Sequence, residues 1–230
     1  MSAIKLHILK PSVNNMTARV FVRAAGLEFS EDDAWGKTRS EEFLARNPAH
    51  LTPMIEAADL PKGVVWESCA IMQYLCNKHH LDQFYPTDPE KRAMVDSAMF
   101  YIVGTLYPYI TRATYGALGF PLYAGEVGAS DADAAEKDKA QKAALAAVGE
   151  TLEVFRKFYL DGKSFIGGDH PSIADIRLAA SLEFLNAIDY DFPAWTKAYM
   201  SAVEAALGDA YAEPAGDVAG YIAYVKGQKG

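Results

Sequence analysis

Residues 64–79 constrain the fold more than any other stretch, because a short β-type run passes directly into a helical pattern. The run Val64–Trp66 is apolar and rich in β-branched residues, which is typical of a strand. Four apolar residues at helical spacing then predict one buried helix face: Ile71, Met72, Leu75 and Cys76. Glu67 and Ser68 therefore lie at the start of this helix. Backbone N–H groups there lack intrahelical partners, and the helix dipole favours an anion.

This helix start suits a small ligand that carries a carboxylate beside an amine. The helix end and the Ser68 hydroxyl would hold the acid, and the Glu67 carboxylate would hold the ammonium. An ordinary capped helix with an acidic residue in its first turn explains the same residues. The stretch alone leaves both interpretations open.

A proline enters the neighbouring apolar run 51–55 at Pro53. Proline cannot donate to a β-ladder, so this residue belongs at an edge or in a turn. A cis bond between Thr52 and Pro53 would leave the Thr52 backbone N–H and C=O facing outward. A peptide-like ligand could then pair with them as an added strand does.

Three motifs together resemble a known family. The patterns N-P-x-x-x-x-P at residues 47–53 and E-S-x-A-I-x-x-Y-L at residues 67–75 resemble the glutathione-site motifs of the cytosolic glutathione transferases. Residues 165–176, F-I-G-G-D-H-P-S-I-A-D-I, resemble the buried capping motif of the helical domain in that family. The resemblance covers essentially the whole chain. It implies glutathione as the cosubstrate, bound in the first domain, and a more apolar substrate site facing it from the second.

The first third of the chain alternates between strand and helix signals. The patterns predict strands at residues 4–8, 27–30, 52–55 and 64–66, and helices at residues 17–25, 40–46 and from 67 onward. A right-handed crossover would make the first two strands parallel and the final hairpin antiparallel. This order is the thioredoxin-like arrangement, which the family resemblance also implies.

Strand signals disappear after the proline-containing linker at residues 85–89. Later patterns predict helices at residues 90–115, 131–159, 193–207 and 214–225, with a loop at 116–130. A further helix is predicted to contain the apolar run at residues 176–184. Gly104 and Pro108 are expected to bend the first of these helices, and Ser172 with Asp175 forms a capping-box pattern. We therefore expect an α/β thioredoxin-like N-terminal domain at residues 1–84 and an all-α C-terminal helical domain at residues 90–230.

The net charge of −8 argues against nucleic acid or an anionic membrane as the main partner. No apolar stretch is long enough to span a membrane. The chain also enters a strand pattern at once rather than a signal-peptide pattern. These features predict a cytoplasmic protein.

The cysteine and histidine residues give no sign of a disulfide or a metal site. Cys69 and Cys76 are the only cysteines, and about 10 Å of helix separates them, which is too far for a disulfide. They are expected to be core thiols. The five histidines show no ligand-like spacing with either cysteine, so we expect no metal site.

The family resemblance implies that the protein activates a thiol. A cysteine-type thiol with a pKa of about 8.5 is only a small fraction ionised at neutral pH, so hydrogen-bond donors beside the sulfur are needed. Such donors belong in the turn between the first strand and the first helix. The candidates there are Ser12, Asn14, Asn15 and Thr17.

Asn14 occupies the usual serine position of the family, and Ser12 lies two residues earlier. Residues 18–20 and the helix after them resemble the serine-using plant and bacterial classes, of phi and theta type. The Ser-x-Asn pair instead resembles the bacterial nu-type enzymes, which favour disulfide reduction over conjugation. No tyrosine lies in this turn, so the tyrosine classes are excluded. Asn14 and Ser12 are the leading candidates and Asn15 is third, although capping and turn formation also explain asparagines here.

The remaining glutathione contacts follow from the resemblance. Thr52, beside Pro53, would pair through its backbone with the cysteinyl part, while Glu67 and Ser68 would bind the γ-glutamyl end. The glycine carboxylate requires a cation, but Leu51 replaces the common polar residue before Thr52. The candidates to substitute for it are His50, Lys37 and Arg39.

The second substrate site is expected on the first helix of the helical domain. Its candidates are Tyr101, Tyr107, Tyr109, Arg112 and Tyr115. Packing between helices explains part of this aromatic density equally well. A tyrosine hydroxyl or Arg112 near the sulfur could also donate a hydrogen bond to the electrophile.

The leading hypothesis is a homodimeric glutathione transferase that adds the glutathione thiolate to small electrophilic, apolar substrates. A glutathione-dependent disulfide reductase or peroxidase is the enzymatic alternative, since Ser12 and Asn14 form the Ser-x-Asn pair. A non-catalytic binding or scaffold protein that kept the fold is the third hypothesis, because the usual serine is missing at position 14. The expected small-molecule partners are electrophiles or disulfides.

Overall fold

A four-stranded sheet forms the centre of the first domain. The computed structural model describes residues 4–120 and 133–228. The strands of the sheet are β1 (Ile4–Ile8), β2 (Phe29–Asp33), β3 (Met54–Glu56) and β4 (Val64–Trp66). In the order β2-β1-β3-β4, β1 is parallel to β2 and antiparallel to β3, and β3 is antiparallel to β4. The predicted thioredoxin-like arrangement is confirmed.

Three helices accompany this sheet: α1 (Val13–Ala24), α2 (Glu41–Arg46) and α3 (Ser68–His79). The inner face of α3 is the predicted one, since these side chains are buried: Ile71, Met72, Leu75 and Cys76. Glu67 precedes the helix as its N-cap residue and does not lie in its first turn. The predicted passage from strand to helix in residues 64–79 is therefore confirmed, with the helix starting one residue later than predicted.

Three element boundaries in this domain differ from the prediction. Strand β3 begins at Met54 and not at Thr52, so Thr52 and Pro53 precede the strand. Helix α1 begins at Val13, four residues before the predicted start, so Asn14 and Asn15 lie in the helix. Their side-chain amides bond to residues of other elements, which replaces the local turn that asparagine favours. Strand β2 begins at Phe29 and continues through polar residues to Asp33, as an edge strand of a sheet can.

The second domain is built from helices. The α-helices are α4 (Pro89–Tyr101), α5 (Tyr107–Leu118), α6 (Ala134–Val154), α7 (Ile173–Leu182), α8 (Ala194–Leu207) and α9 (Asp209–Gly227). A π-helical segment (Ile102–Leu106) joins α4 to α5, a second (Phe155–Leu160) extends α6, and a 3-10 segment (Glu183–Ile188) extends α7. The two-part fold class is confirmed, while the limits 1–84 and 90–230 stay a prediction.

The bend expected in the first long helix takes the form of the π-helical segment Ile102–Leu106, which contains Gly104. Pro108 lies directly after it, in the first turn of α5. Proline is tolerated there because the N–H groups of a first turn have no partner four residues back within an ideal α-helix. The chain therefore continues as a helix through both residues.

Two boundaries in the helical domain were predicted wrongly. Helix α5 continues to Leu118, so the loop expected at residues 116–130 starts later. Residues 121–130 of that prediction lie outside the described residues. Helix α9 begins at Asp209 and not at Pro214, which lies buried inside the helix.

Helix α1 of the first domain packs against both domains. Nine of its twelve residues are buried, and it packs against α3 of its own domain and against α7 and α9 of the other. Arg19, 1% exposed, crosses the boundary: its Nε lies 2.9 Å from Glu31 and its Nη1 lies 2.8 Å from Asp217 on α9. The first residues of α1 are thereby fixed where the two domains meet.

The start of α7 is held by a buried carboxylate. The N–H and Oγ–H of Ser172 donate to Asp175 at 2.8 and 2.7 Å, and Ile166 and Gly167 donate their N–H groups to the same carboxylate. Tyr199 adds a hydrogen bond of 2.8 Å from its hydroxyl. The predicted capping box is confirmed, and it also ties the preceding turn and α8 to the core.

Across residues 4–120 and 133–228, none of the helices combines the length and the apolar character that crossing a bilayer requires.

The Ser172→Ala variant is expected to unfold more easily. It removes the hydroxyl donor from a fully buried carboxylate, and loss of such a cap costs about 1 to 2 kcal/mol. Chemical denaturation of both proteins measures this difference. Ser201→Ala, an exposed serine on α8, is the control and should leave the free energy of unfolding unchanged. A Ser172→Ala protein as stable as the parent would contradict the role given to the cap.

Candidate functional site

A cavity of about 430 Å³ opens where the two domains meet. The first domain contributes Asn14, Leu51, Thr52, Pro53, Glu67 and Ser68 to its lining, and the second contributes Val103, Tyr107, Pro108, Thr111 and Tyr115. Seven of these residues are site residues that the sequence predicted: Asn14, Thr52, Pro53, Glu67, Ser68, Tyr107 and Tyr115.

The Thr52–Pro53 segment presents a free main-chain edge to this cavity. The Thr52–Pro53 peptide bond is cis, as predicted. Among the described residues, neither the N–H nor the C=O of Thr52 forms a main-chain hydrogen bond. The loop is nevertheless fixed, because Asn15 donates to Thr52 Oγ1 at 3.1 Å and Asn47 donates to the Leu51 carbonyl at 2.8 Å. An extended backbone of a ligand can pair with this edge.

The start of α3 forms the adjacent wall. Ser68, the first helical residue, is buried at the cavity, and Glu67 before it is exposed. Glu67 has a φ of 75°, a left-handed value that non-glycine residues seldom adopt. Backbone strain of this kind is kept where it positions a group at a ligand site. Here it places a carboxylate beside the free N–H groups of a helix start.

A chain of hydrogen bonds links the two domains across the cavity. The Asn14 side-chain amide on α1 donates to the Tyr107 hydroxyl on α5 at 3.0 Å. The Tyr107 hydroxyl lies 3.1 Å from that of Tyr115, one of them donating to the other. The Asn14 Oδ1 is buried and has no hydrogen-bond partner. The α1 end of the chain is therefore polar, held in place and incompletely satisfied.

Arg177 is a residue of this region that the sequence analysis missed. It lies on α7, is 2% exposed, and its guanidinium carbon is 4.7 Å from the centre of the Tyr107 ring. Its signal in the sequence is an arginine within a largely apolar helical pattern, and all ten residues of α7 are buried. Val103, Pro108 and Thr111 were missed as lining residues as well.

Several predicted residues of the first domain lie away from the cavity lining. Ser12 is the N-cap residue of α1, and the Thr17 hydroxyl donates to the Val13 carbonyl. Asn15 is buried beneath the loop and bonds to Thr52. The three candidate cations are also outside the lining: Lys37, 3.6 Å from Asp32; Arg39, exposed; and His50, whose N–H bonds to Asn47.

Three predicted residues of the second domain face elsewhere. Tyr101 packs against Phe155 and Tyr159. Tyr109 and Arg112 line a separate cavity of about 630 Å³ between α5 and α6. A helix turns by roughly 100° per residue, so Tyr109 points away from the direction of Tyr107, while Thr111 and Tyr115 return to it.

The protein's own thiols are unsuited to nucleophilic chemistry. Cys69 and Cys76 are both free cysteines on α3. Burial raises the pKa of the Cys69 thiol, and it raises the pKa of Cys76 to about 12. Neither cysteine lines the cavity, so a thiolate acting there would have to be supplied by a bound ligand. In the parts of the chain that the structure describes, no cluster of three potential metal-ligating side chains occurs.

Two family models match the chain. The N-terminal domain of glutathione S-transferase matches residues 2–77, and the C-terminal domain matches residues 129–209. Glutathione S-transferase 1 of Manduca sexta is 33% identical over 159 residues, which are 66% of this chain and 62%, less than two thirds, of that protein. Glutathione S-transferase D7 of Drosophila melanogaster is 30% identical over 179 residues, which are 75% of this chain and 70% of that protein.

A solved structure agrees with these matches over nearly the full chain. A delta-class glutathione transferase of Nilaparvata lugens superposes with a TM-score of 0.76 at 27% identity. The superposition covers 96% of this chain and 99% of that one. Both domains and their mutual arrangement are thus those of a known enzyme fold.

Proposed function

The chain belongs to the glutathione transferase family, and we propose that its interdomain cavity binds glutathione and activates the thiol for addition to small electrophilic, apolar substrates. The strongest support is the convergence of three features on one cavity. These are the free main-chain edge at Thr52, the start of α3 at Ser68 and the side-chain amide of Asn14. They match a ligand with a peptide backbone, an amino-acid end and a sulfur.

Each part of glutathione has a counterpart in the first domain. The Thr52 main chain pairs with the cysteinyl residue as an added strand would. Ser68 and the N–H groups of α3 hold the γ-glutamyl carboxylate, and Glu67 holds its ammonium. Of the three candidate cations for the glycine carboxylate, His50 is favoured because it adjoins Leu51, which lines the cavity.

Asn14 is the proposed donor to the sulfur from α1, in preference to Ser12. Asn14 lines the cavity, and Ser12 does not. A hydrogen bond to the sulfur stabilises the thiolate over the thiol, and each unit by which the thiol pKa falls corresponds to about 1.4 kcal/mol. The S–H proton leaves to water. The sulfur lone pair then forms the C–S bond to the electrophile.

The helical domain supplies the electrophile side of the cavity. Val103 and Pro108 give it an apolar wall, while Thr111 and Tyr115 add hydroxyl groups. A hydroxyl that faces the electrophile can donate a hydrogen bond to negative charge as it develops there. This composition suits small, largely apolar substrates with one polar or leaving group.

Disulfide reduction is the second candidate activity. The observation that favours it is Asn14, which stands at the usual serine position and faces the cavity. Turnover of a small mixed disulfide with glutathione, faster than conjugation of a chlorodinitrobenzene-type substrate, would make it the main activity. A protein that retains glutathione but supports neither reaction would instead be a binding or scaffold protein.

A homodimer is proposed from the aromatic face, defined as Phe100 on α4 and Phe158 after α6. These side chains are 68% and 60% exposed, on helical segments that pack against each other. Met94 on α4 and Val154 at the end of α6 are partly exposed as well. Exposed apolar groups gathered in this way mark an interaction surface. The family resemblance points to a second copy of the chain as the partner.

The proposed location of the protein is the cytoplasm.

Asn14→Ala is the direct test of the proposed reaction. We expect the parent protein to take up glutathione in calorimetry and to conjugate a chlorodinitrobenzene-type substrate. Loss of a donor to the thiolate should lower kcat/KM roughly 10²-fold in Asn14→Ala. Asn77→Ala, an exposed asparagine on α3, is the matched control and should retain full activity. No glutathione uptake by the folded parent protein would refute the proposed function, and full activity in Asn14→Ala would refute the assignment of Asn14.

Phe158→Glu is expected to convert the dimer to a monomer. A carboxylate in the aromatic face of each copy would have to lose its hydration on association. Sedimentation velocity at matched concentrations reports the change in mass. The control is Tyr224→Glu, which alters a side chain of similar exposure on α9. A parent protein that sediments as a monomer, or a Phe158→Glu protein that stays dimeric, would count against this interface.

A further inference from the structure

Arg177 is a buried cation without a carboxylate partner. It is 2% exposed, and among residues 4–120 and 133–228 no acidic side chain lies within ion-pair distance of its guanidinium. Its Nη1 donates a long hydrogen bond of 3.4 Å to Thr17 Oγ1, and its Nε has no partner. A buried charge in this state lowers stability unless something compensates it.

Arg19 shows how the same protein compensates a buried guanidinium. It is 1% exposed, and Glu31 and Asp217 lie 2.9 and 2.8 Å from it. Burial by itself raises the pKa of the Glu31 carboxyl, but the bonds from Arg19 and Arg23 outweigh it and hold the pKa below the usual value. Arg19 is thus neutralised within the chain, whereas Arg177 is not.

The acidic residue of α7 and an acidic residue of α4, which packs against α7, accept hydrogen bonds from other groups, and the thiol beside the guanidinium is neutral. Asp175, on the same helix, accepts its hydrogen bonds at the α7 cap. Asp96 on α4 accepts from Gln73 and Tyr85. Burial raises the pKa of the Cys69 thiol on α3 despite the nearby guanidinium, so Cys69 is not an anion at neutral pH. Facing residues on α1 and α5 are uncharged: Thr17 and Tyr107.

The ring of Tyr107 lies between Arg177 and the cavity. Its guanidinium carbon lies 4.7 Å from the centre of the Tyr107 ring, and Tyr107 lines the cavity. The Asn14 amide donates to the Tyr107 oxygen at 3.0 Å, which fixes the hydroxyl at the α1 side of the cavity. The charge therefore acts on whatever the Tyr107 hydroxyl contacts.

We infer that the anion missing opposite Arg177 is the thiolate of bound glutathione, and that Tyr107 is a catalytic residue that donates its hydroxyl hydrogen bond to the sulfur. The Tyr107 oxygen then accepts from Asn14 and from the Tyr115 hydroxyl, 3.1 Å away, so that its one O–H proton is directed at the sulfur. This inference rests on the proposed glutathione site. Arg177 is a positioning residue that acts through Tyr107, because a cation against the ring makes the phenol a stronger donor. When the thiol proton leaves to water, the buried positive charge gains its counter-charge, and no other bond changes.

The inference assigns different roles to the two donors at the sulfur. Asn14 contacts both the cavity and the Tyr107 oxygen, so it orients the phenol as well as facing the sulfur. Tyr107 brings the effect of a full positive charge, which an amide alone cannot supply. The acidity of the bound thiol should therefore depend on α5 and α7 of the helical domain, and not on the first domain alone.

Tyr107→Phe separates this role from packing, because it keeps the ring against Arg177 and removes only the hydroxyl. The ultraviolet absorbance of the thiolate, titrated with pH at saturating glutathione, gives the pKa of the bound thiol. We expect a rise of about one pKa unit, which is about a tenfold loss of thiolate below that pKa. Arg177→Met should raise it similarly, the double variant no further, and Arg177→Lys should recover most of the effect.

Tyr159→Phe is the control, since it removes a buried hydroxyl that bonds to Ser97 outside the cavity and should leave the bound-thiol pKa unchanged. An unchanged bound-thiol pKa in Tyr107→Phe overturns the inference, and this variant decides the matter if Arg177→Met does not fold. If the bound-thiol pKa is unchanged in Tyr107→Phe, glutathione uptake by the parent protein still supports the proposed function. Absence of uptake in calorimetry would remove the proposed function and this inference together.

Discussion

Burial of α1 between the two domains is the constraint on which the site depends. A helix that packs against α3, α7 and α9 and is buried along most of its length leaves little water for its polar side chains. Each of them must find a partner within the protein or a ligand. Asn15 finds Thr52, Arg19 finds Glu31 and Asp217, and Asn14 finds Tyr107. These contacts connect α1 to the Thr52–Pro53 segment and to both domains around the cavity.

Local patterns were sufficient for the elements that depend on local causes. The alternation in β1, the strand-to-helix passage at β4 and α3, and the capping box at Ser172 follow from side-chain periodicity and from backbone groups next in sequence. The start of α1 did not, since Asn14 and Asn15 favour a turn when considered alone. Their helical state is decided by partners 93 and 37 residues away in the chain.

The residues of the candidate site also fall into two groups: those that local motifs predict and those that tertiary packing places. Thr52, Glu67 and Ser68 could be predicted as lining residues from the sequence, because they belong to contiguous motifs of the family. The tyrosines of the second domain were predicted as one group, although helical geometry puts Tyr107, Thr111 and Tyr115 on one face and Tyr109 on another. Arg177 lies in the core only because α7 is covered on all sides, which depends on how the helices pack.

An asparagine at position 14 changes what the rest of the site must supply. An O–H donor makes a shorter hydrogen bond than an amide N–H, so the proposed contact of a thiolate with Asn14 is weaker than one with a serine hydroxyl. A net charge of −8 also gives no general attraction for an anion. Local charge is what remains, and it is strongest where water is excluded. Arg177 is a buried charge of this kind, and it lies against the ring of Tyr107, so under the proposed role its charge reaches the cavity from the domain opposite Asn14.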